Sequence, residues 1–415
     1  MNTEKTLYCM GRNCKHCSEK NCPRRSALIN DNMQILSEHR ETTTSDVMCV
    51  DIGTTTIAMT GGGGVYRAVN PQRCFGADVL SRIQAANTHS LEKLKELITS
   101  EILRGMKFIY GDTVPKEIIV SANTAMVHFL MGWDCSGLGQ FPFTPISLDT
   151  QKTELAGNIP MTVIGGVSAY VGGDIVSGIY SCGMAESEDI SLFVDLGTNG
   201  EIALGNCNKI IATSTAAGPA FEGGEISCGC ASVSGAICGI DGENIKTIDN
   251  APPIGICGTG LVEVVYELLQ RGISDKTGLL NEKYFENGYT VTDKIKFTQM
   301  DMRQVQMAKA AVAAGIEILL EEYKITMNEV KNVYLSGGFG FGLNLKKTEG
   351  IGLLPKGTTD KAIVLGNSSL DGAIKYSLDA HAEEKIKKIK AISTDILLGG
   401  NEYFSQRYIE NINFI

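Results

Sequence analysis

The sequence predicts an α/β protein of two related lobes closing on a shared cleft, and three observations carry that expectation. A length of 415 residues, at roughly 150 per domain, makes two or three domains with at least one large core. An internal echo pairs VDIGTTTIAM (Val50 to Met59) with VDLGTNGEIAL (Val194 to Leu204), placing Asp51 and Asp195 144 positions apart. Each copy runs an apolar strand into V-D-[IL]-G-T, turns through polar residues and returns to apolar ones, the pattern of a β-hairpin. In the third, VYLSGGFGFG, another strand runs into Gly337, Gly338, Phe339 and Gly340, 142 positions beyond Asp195. Repeats of this length are too long for solenoid units. They suggest duplicated domains, each opening with a hairpin whose turn faces the cleft.

Along the chain, the first element is a cysteine-rich segment over residues 1–30. Cys9, Cys14, Cys17 and Cys22 follow the spacing C-x4-C-x2-C-x4-C, with Gly11 and Asn13 suited to a tight loop. Thiolates this close can converge on one centre. A 4Fe–4S cluster, a structural Zn²⁺ and a redox-active thiol set all satisfy the pattern, since four cysteines suit zinc and iron–sulfur alike. Residues 31–45 are polar, end in ETTTS and read as a linker. Residues 46–190 then form lobe I, and residues 191–415 form lobe II. The nine later cysteines are scattered, and Cys49, inside the strand pattern VMCVDIG, reads as a small buried hydrophobe.

The hairpin turns carry the chemistry. A strand-end aspartate followed by Gly-Thr offers a carboxylate for Mg²⁺ or water beside backbone N–H groups, and glycine lets the backbone approach an anion. In the first turn these are Asp51, Gly53, Thr54, Thr55 and Thr56; in the second, Asp195, Gly197, Thr198, Asn199 and Gly200. Two such turns facing each other would grip the phosphates of a nucleotide, and the Gly337–Gly340 turn would offer flat backbone to adenine or ribose. Phosphoryl transfer depends on positioning and charge neutralisation, so Asp51 and Asp195 are the expected organisers of metal and water. Asp174, in YVGGDIVSGI, reads as the N-cap of the following helix. Glu201, just past the second turn, is a candidate to orient the attacking water. AAGPAFEGG, Ala216 to Gly224, reads as a nucleotide-facing loop containing Gly218, with Pro219 fixing its bend and Glu222 at its tip. His128, in the apolar pattern MVHFLM, reads as a satisfied core histidine. Met302 to Tyr323 has the pattern of a packed helix.

Composition excludes several classes. The net charge is −10, and no basic stripe is present to neutralise nucleic-acid phosphates. KIKKIK, Lys385 to Lys390, follows two glutamates and reads as a solvated helix face. The N-terminus lacks a secretory pattern, and no window approaches the roughly 20 apolar residues that span a bilayer. A cytoplasmic protein without membrane contact is expected. Glycine, at 47 residues, exceeds the usual ~7% and suits many tight turns.

These motifs resemble the acetate and sugar kinase, heat-shock chaperone and actin (ASKHA) superfamily, over roughly Asp46 to the C-terminus. That resemblance implies two ribonuclease-H-like lobes closing over ATP and Mg²⁺. It also implies a second reading of Asp174, as a catalytic acid. GADVLSRI (Gly76 to Ile83), SANTAMVHFLMG (Ser121 to Gly132), FPFTP (Phe141 to Pro145), STAAGPAFEGGEI (Ser214 to Ile226), GICGTGL (Gly255 to Leu261) and GNSSLDGA (Gly366 to Ala373) occur in order. Together they look like the ATP-dependent reductive activators of corrinoid proteins. The resemblance implies ATP-driven return of Co(II) to Co(I) in the corrinoid protein of a methyltransferase system, with an upstream electron donor. Typical members carry a plant-type 2Fe–2S ferredoxin domain at the N-terminus, for which this stretch is too short. The resemblance therefore favours a 4Fe–4S cluster at Cys9, Cys14, Cys17 and Cys22, with Zn²⁺ as the alternative. An ASKHA-type small-molecule kinase and an ATP-regulated binding protein with a zinc site are the competing functions. An activator of the kind serving acyl-CoA dehydratases is a further one. Oligomeric state stays open, a homodimer included.

Overall fold

The computed structural model of the protein describes residues 46–242, 244–337 and 342–415; the four-cysteine segment and the linker lie outside them. Lobe I is built on a six-stranded sheet. Its strands are β1 (Val47–Ile52), β2 (Thr56–Gly61), β3 (Gly64–Val69), β4 (Glu117–Ala122), β5 (Gln151–Leu155) and β6 (Ile159–Val163), in the order β3-β2-β1-β4-β6-β5. The first three pair antiparallel, and β4 and β6 run parallel to β1. The main helices of this lobe are α1 (Val79–Ala85), α2 (Leu91–Tyr110), α3 (Thr124–Met131) and α4 (Gly173–Cys182).

Lobe II repeats the plan. β7 (Ser191–Leu196), β8 (Gly200–Gly205) and β9 (Ile210–Thr215) form an antiparallel meander. Smaller sheets of β10 (Ala236–Asp241), β11 (Asn244–Thr247) and β12 (Gly255–Ile256), and of β13 (Tyr289–Thr292) and β14 (Ile295–Phe297), are inserted before the main sheet resumes. It resumes with β15 (Asn332–Ser336) and β16 (Ala362–Gly366), both parallel to β7, and β17 (Ser393–Asp395) adds to the far edge. Its helices include α5 (Gly258–Gln270), α6 (Gln299–Tyr323), α7 (Ser368–Leu378) and α8 (Ala382–Ile392). The third sequence echo is thus not a third hairpin. It is β15, laid parallel beside β7 in the second sheet.

Side-chain alternation decides what each sheet face meets. In β1, Met48, Val50 and Ile52 pack outward with α2 and α3 residues such as Leu94, Ile98 and Phe129. Cys49, one register step off, belongs to a different core with Phe193 of β7, Ile175 and Ile179 of α4, and Leu370 and Ile374 of α7. In lobe II, Leu192, Val194 and Leu196 join the outer core with α5 and α6. The inner faces of both sheets therefore share one helical layer, α4 against α7. Asp51 and Asp195 have the parity of Cys49 and Phe193 and point into that layer.

Local signals explain the remaining differences from the sequence pattern. α6 starts at Gln299, earlier than Met302, because Thr298 and Asp301 form a capping box. On α8, Ile386 and Ile389 are buried, while Lys385 pairs with Asp379 at 2.8 Å and Glu186 at 3.2 Å. His128 is fully buried, its Nδ1 2.8 Å from the Thr124 carbonyl and its Nε2 accepting from Ile146 N at 3.0 Å. All nine described cysteines are free thiols, and Cys49 is fully buried.

The α4–α7 contact is close enough to need glycine. A Cβ on Gly372 would stand 2.3 Å from the Ser177 carbonyl oxygen. Gly→Ala in an exposed helix gains about 1 kcal/mol, but overpacking here costs about 1–3 kcal/mol. We expect Gly372→Ala to lower the denaturant midpoint; an unchanged or higher midpoint would contradict this packing.

Candidate functional site

Three-residue turns close both hairpins. Gly53 N donates to the Thr56 carbonyl at 2.9 Å in the first, and Gly197 N donates to the Asn199 carbonyl at 3.0 Å in the second. The two turns meet: the Thr55 and Thr198 hydroxyls are 3.2 Å apart. Thr54 is buried and its hydroxyl accepts from Asn123 Nδ2 at 3.3 Å, whereas Thr56 is exposed at the start of β2. Gly200 opens β8 so near Thr215 that a Cβ would stand 2.7 Å from its hydroxyl. Gly337 follows β15 with φ +91°, and a Cβ there would stand 2.8 Å from Asp195 Oδ1. Gly338, Phe339 and Gly340 lie outside the described residues. Gly218 has φ +77° and open space around its Cα.

The N-terminal end of α7 holds Asp51 directly and reaches Asp195 through Ser336. Asn367, the N-cap, donates from Nδ2 to Asp51 Oδ2 at 2.8 Å, and Ser369 donates to Asp51 Oδ1 at 2.7 Å. Ser336 donates to Asp195 Oδ2 at 2.8 Å, and its hydroxyl lies 2.6 Å from that of Ser368. The Ser369 and Ser121 hydroxyls, 2.8 Å apart, tie α7 to β4. The positive end of the helix dipole adds to this hold on Asp51. Asn367, Ser368, Ser369 and Ser336 are the residues that sequence reasoning missed; GNSSLDGA and VYLSGG contained them, but nothing in those strings says which carboxylates they reach.

Four carboxyls crowd this floor. Desolvation, reinforced by the charges of Asp195 and Asp51, pushes Asp174 up to about 7. Desolvation likewise raises Asp195 to about 6, against the Ser336 hydrogen bond. Glu201 sits opposite Asp195 across the β7–β8 ladder, and desolvation with the charges of Asp174 and Asp195 holds it well above its usual range. Asp174 is not the N-cap of α4. Gly172 takes that position, and Asp174 sits in the first turn with Oδ1 accepting from Ile175 N at 2.9 Å. Close packing accounts for glycine at the cap: a Cβ at position 172 would stand 2.6 Å from the Asn123 Cα. This donor set fits a divalent cation. Its negative charge is crowded and desolvated, and Mg²⁺ is commonly held by one or two carboxylates plus substrate phosphates. Among the described residues, no group of three or more His, Cys, Asp or Glu side chains is arranged to hold a metal ion alone.

Above the floor, a cleft is lined by Thr55, Arg73, Ala77 and Asp78 from lobe I and Thr198, Pro219, Glu222, Gly224 and Glu225 from lobe II. No helix among the described residues is long and apolar enough to cross a membrane.

A raised carboxyl pKa in the folded state means that the fold binds more protons than the unfolded chain. Stability therefore falls as pH rises from the unfolded value toward the folded one. For Asp174 that window runs from 3.8 to about 7. Asp174→Asn should accordingly raise the melting temperature more at pH 8 than at pH 4. An equal shift at both would show that Asp174 carries no such charge penalty.

Comparison with known proteins follows the same division of the chain. The C-terminal domain of RACo, the ASKHA domain, matches residues 189–415, and the RACo middle region matches residues 47–187. The corrinoid activation enzyme RamQ of Eubacterium limosum is 32% identical over 418 residues, covering 88% of this chain and 69% of its own. The [Co(II) methylated amine-specific corrinoid protein] reductase of Methanosarcina barkeri is 26% identical over 286 residues, 62% of this chain and 52% of its own. A solved structure of a reductive activator for corrinoid, iron–sulfur protein superposes with a TM-score of 0.80 at 30% identity, over 89% of this chain and 66% of that one. The chain thus spans between 52% and 69% of the length of these relatives.

Proposed function

The chain belongs to the RACo family, and from that membership we propose that it couples ATP hydrolysis to the reductive activation of a corrinoid protein, returning Co(II) to Co(I). The observation that carries the ATP half is the pair of hairpin turns meeting at Thr55 and Thr198, with Asp51 held by Asn367 and Ser369 and Asp195 by Ser336, which lies against Ser368. An ATP phosphate chain placed there is gripped from both lobes, so nucleotide state and the relation between lobes are linked. A ligand shifts such an equilibrium only through differential contacts with the two states, and a site split between lobes supplies them.

Asp51 and Asp195 are the residues that would hold Mg²⁺, which neutralises phosphate charge when bound. Gly53, Thr54, Thr55, Thr56, Gly197, Thr198, Asn199 and Gly200 present N–H and hydroxyl donors to the phosphates. Gly218 and the Gly337–Gly340 turn are assigned to the nucleoside side. Asp174 is assigned as a catalytic acid and Glu201 as the residue that orients the attacking water; desolvation raises both carboxyls. Cys9, Cys14, Cys17 and Cys22 are assigned as ligands of a 4Fe–4S cluster, a donor set whose chemistry suits one-electron transfer; Zn²⁺ is the competing occupant. The small-molecule kinase alternative uses the same cleft but leaves these four cysteines without a role.

Asp51→Ala and Asp195→Ala should each abolish phosphate release from ATP, and turnover retained in both would remove these roles. Anaerobically purified protein should contain iron and give an EPR signal on reduction. With a reductant and a Co(II) corrinoid protein of a methyltransferase system, ATP should drive loss of the Co(II) spectrum. Stoichiometric zinc without iron would overturn the cluster, and an ATP-independent cobalt spectrum would overturn the activator.

A further inference from the structure

One carboxylate in the cleft stands apart from the floor. Glu222 Oε2 accepts from the Thr198 hydroxyl at 2.6 Å and the Thr55 hydroxyl at 3.0 Å, so a single oxygen bridges both phosphate turns. Its Oε1 lies 3.9 Å from the position a Cβ on Gly197 would take. Asp51 and Asp195 are engaged by Asn367, Ser369 and Ser336 on the inner side, whereas Glu222 lines the open cleft.

Its backbone is fixed. Ala220 and Phe221 before it are 2% and 3% exposed. Gly223 after it has φ +80° and is pressed so close to Cys230 that a Cβ would stand 2.4 Å from that carbonyl oxygen. A residue clamped on both sides suits a placed catalytic group better than a latch that must swing away. Desolvation raises the Glu222 carboxyl above its usual range, while the Thr198 and Thr55 hydrogen bonds and the Arg73 and Arg82 charges oppose the rise. Glu201 faces Asp195 across the β7–β8 ladder, away from the pair of threonine hydroxyls that Glu222 engages, and desolvation raises its carboxyl too.

We propose that Glu222 is the general base of ATP hydrolysis, a role that rests on the ATPase reading above. The water oxygen forms a bond to the γ-phosphorus as the bond from that phosphorus to the bridging oxygen breaks, and ADP leaves with the electron pair. The water proton passes to Glu222 and then to solvent. The Thr55 and Thr198 hydroxyls, which rotate freely, turn from the carboxylate to the phosphate. Arg73, across the cleft, supplies positive charge from lobe I.

The test measures turnover and nucleotide affinity separately, on the full chain. Glu222→Gln keeps an oxygen for both threonines but takes up no proton. We expect kcat to fall about 100-fold or more, with the ATP dissociation constant within about threefold. Glu222→Asp, which keeps the base but shortens its reach, should give an intermediate rate. A Glu222→Gln variant whose turnover stays within about threefold of the parent overturns the inference alone. So does one that keeps its turnover and binds ATP about tenfold more tightly, which would make Glu222 a competitor of the phosphate. Should Glu222→Gln fail to fold, Glu222→Asp decides: parental turnover overturns the inference, and an intermediate rate at unchanged affinity supports it. An unaltered chain that releases no phosphate overturns the ATPase reading and the inference together.

Discussion

The site depends on one helix end. Asn367 and Ser369, at the start of α7, hold both oxygens of Asp51, while Ser368 lies against Ser336, which holds Asp195. Each aspartate ends the first strand of its own sheet, so this one helix end connects the cores of the two lobes. A charge-assisted hydrogen bond in a desolvated place is worth more than one in water, and losing it leaves a buried acceptor unpaired. The polar contacts at α7 thus help fix where the two hairpin turns stand relative to each other. The Gly372 contact with Ser177 lets the helix come close enough to make them.

That arrangement concentrates negative charge. Asp174, Asp195 and Glu201 all have raised pKa values, with desolvation the largest cause and the charge of neighbouring carboxylates, Asp51 among them, adding to it. Carboxyls whose charge is costly in the nucleotide-free fold are a reservoir that a divalent cation on ATP can discharge.

Much of this was legible before any coordinates. The V-D-[IL]-G-T echo announced two hairpins, and β1–β2 and β7–β8 are those hairpins. Cys49, His128 and the KIKKIK helix also stand as their patterns implied, because burial follows apolar periodicity closely. The third echo was less informative. A strand ending in two glycines reads alike whether it opens a domain or lies fourth in a sheet, and only β15 pairing parallel to β7 distinguishes them. Asp174 was ambiguous for a similar reason: an acidic residue after two glycines suits the N-cap or the first turn, and in the fold Gly172 takes the cap and leaves Asp174 in the first turn.

The sequence by itself determined the two-lobed α/β plan, the two hairpin turns and the family to which the chain belongs. Those properties are written in local patterns of a few residues, where strand parity and turn chemistry act over short distances. Tertiary structure alone decided which side chains hold Asp51 and Asp195, and that Glu222 bridges Thr55 and Thr198. Those partners lie 316 and 318 positions from Asp51, 141 from Asp195, and 167 and 24 from Glu222. Hydrogen bonds across such separations follow from how the sheets share a helical layer, and no local spacing encodes that.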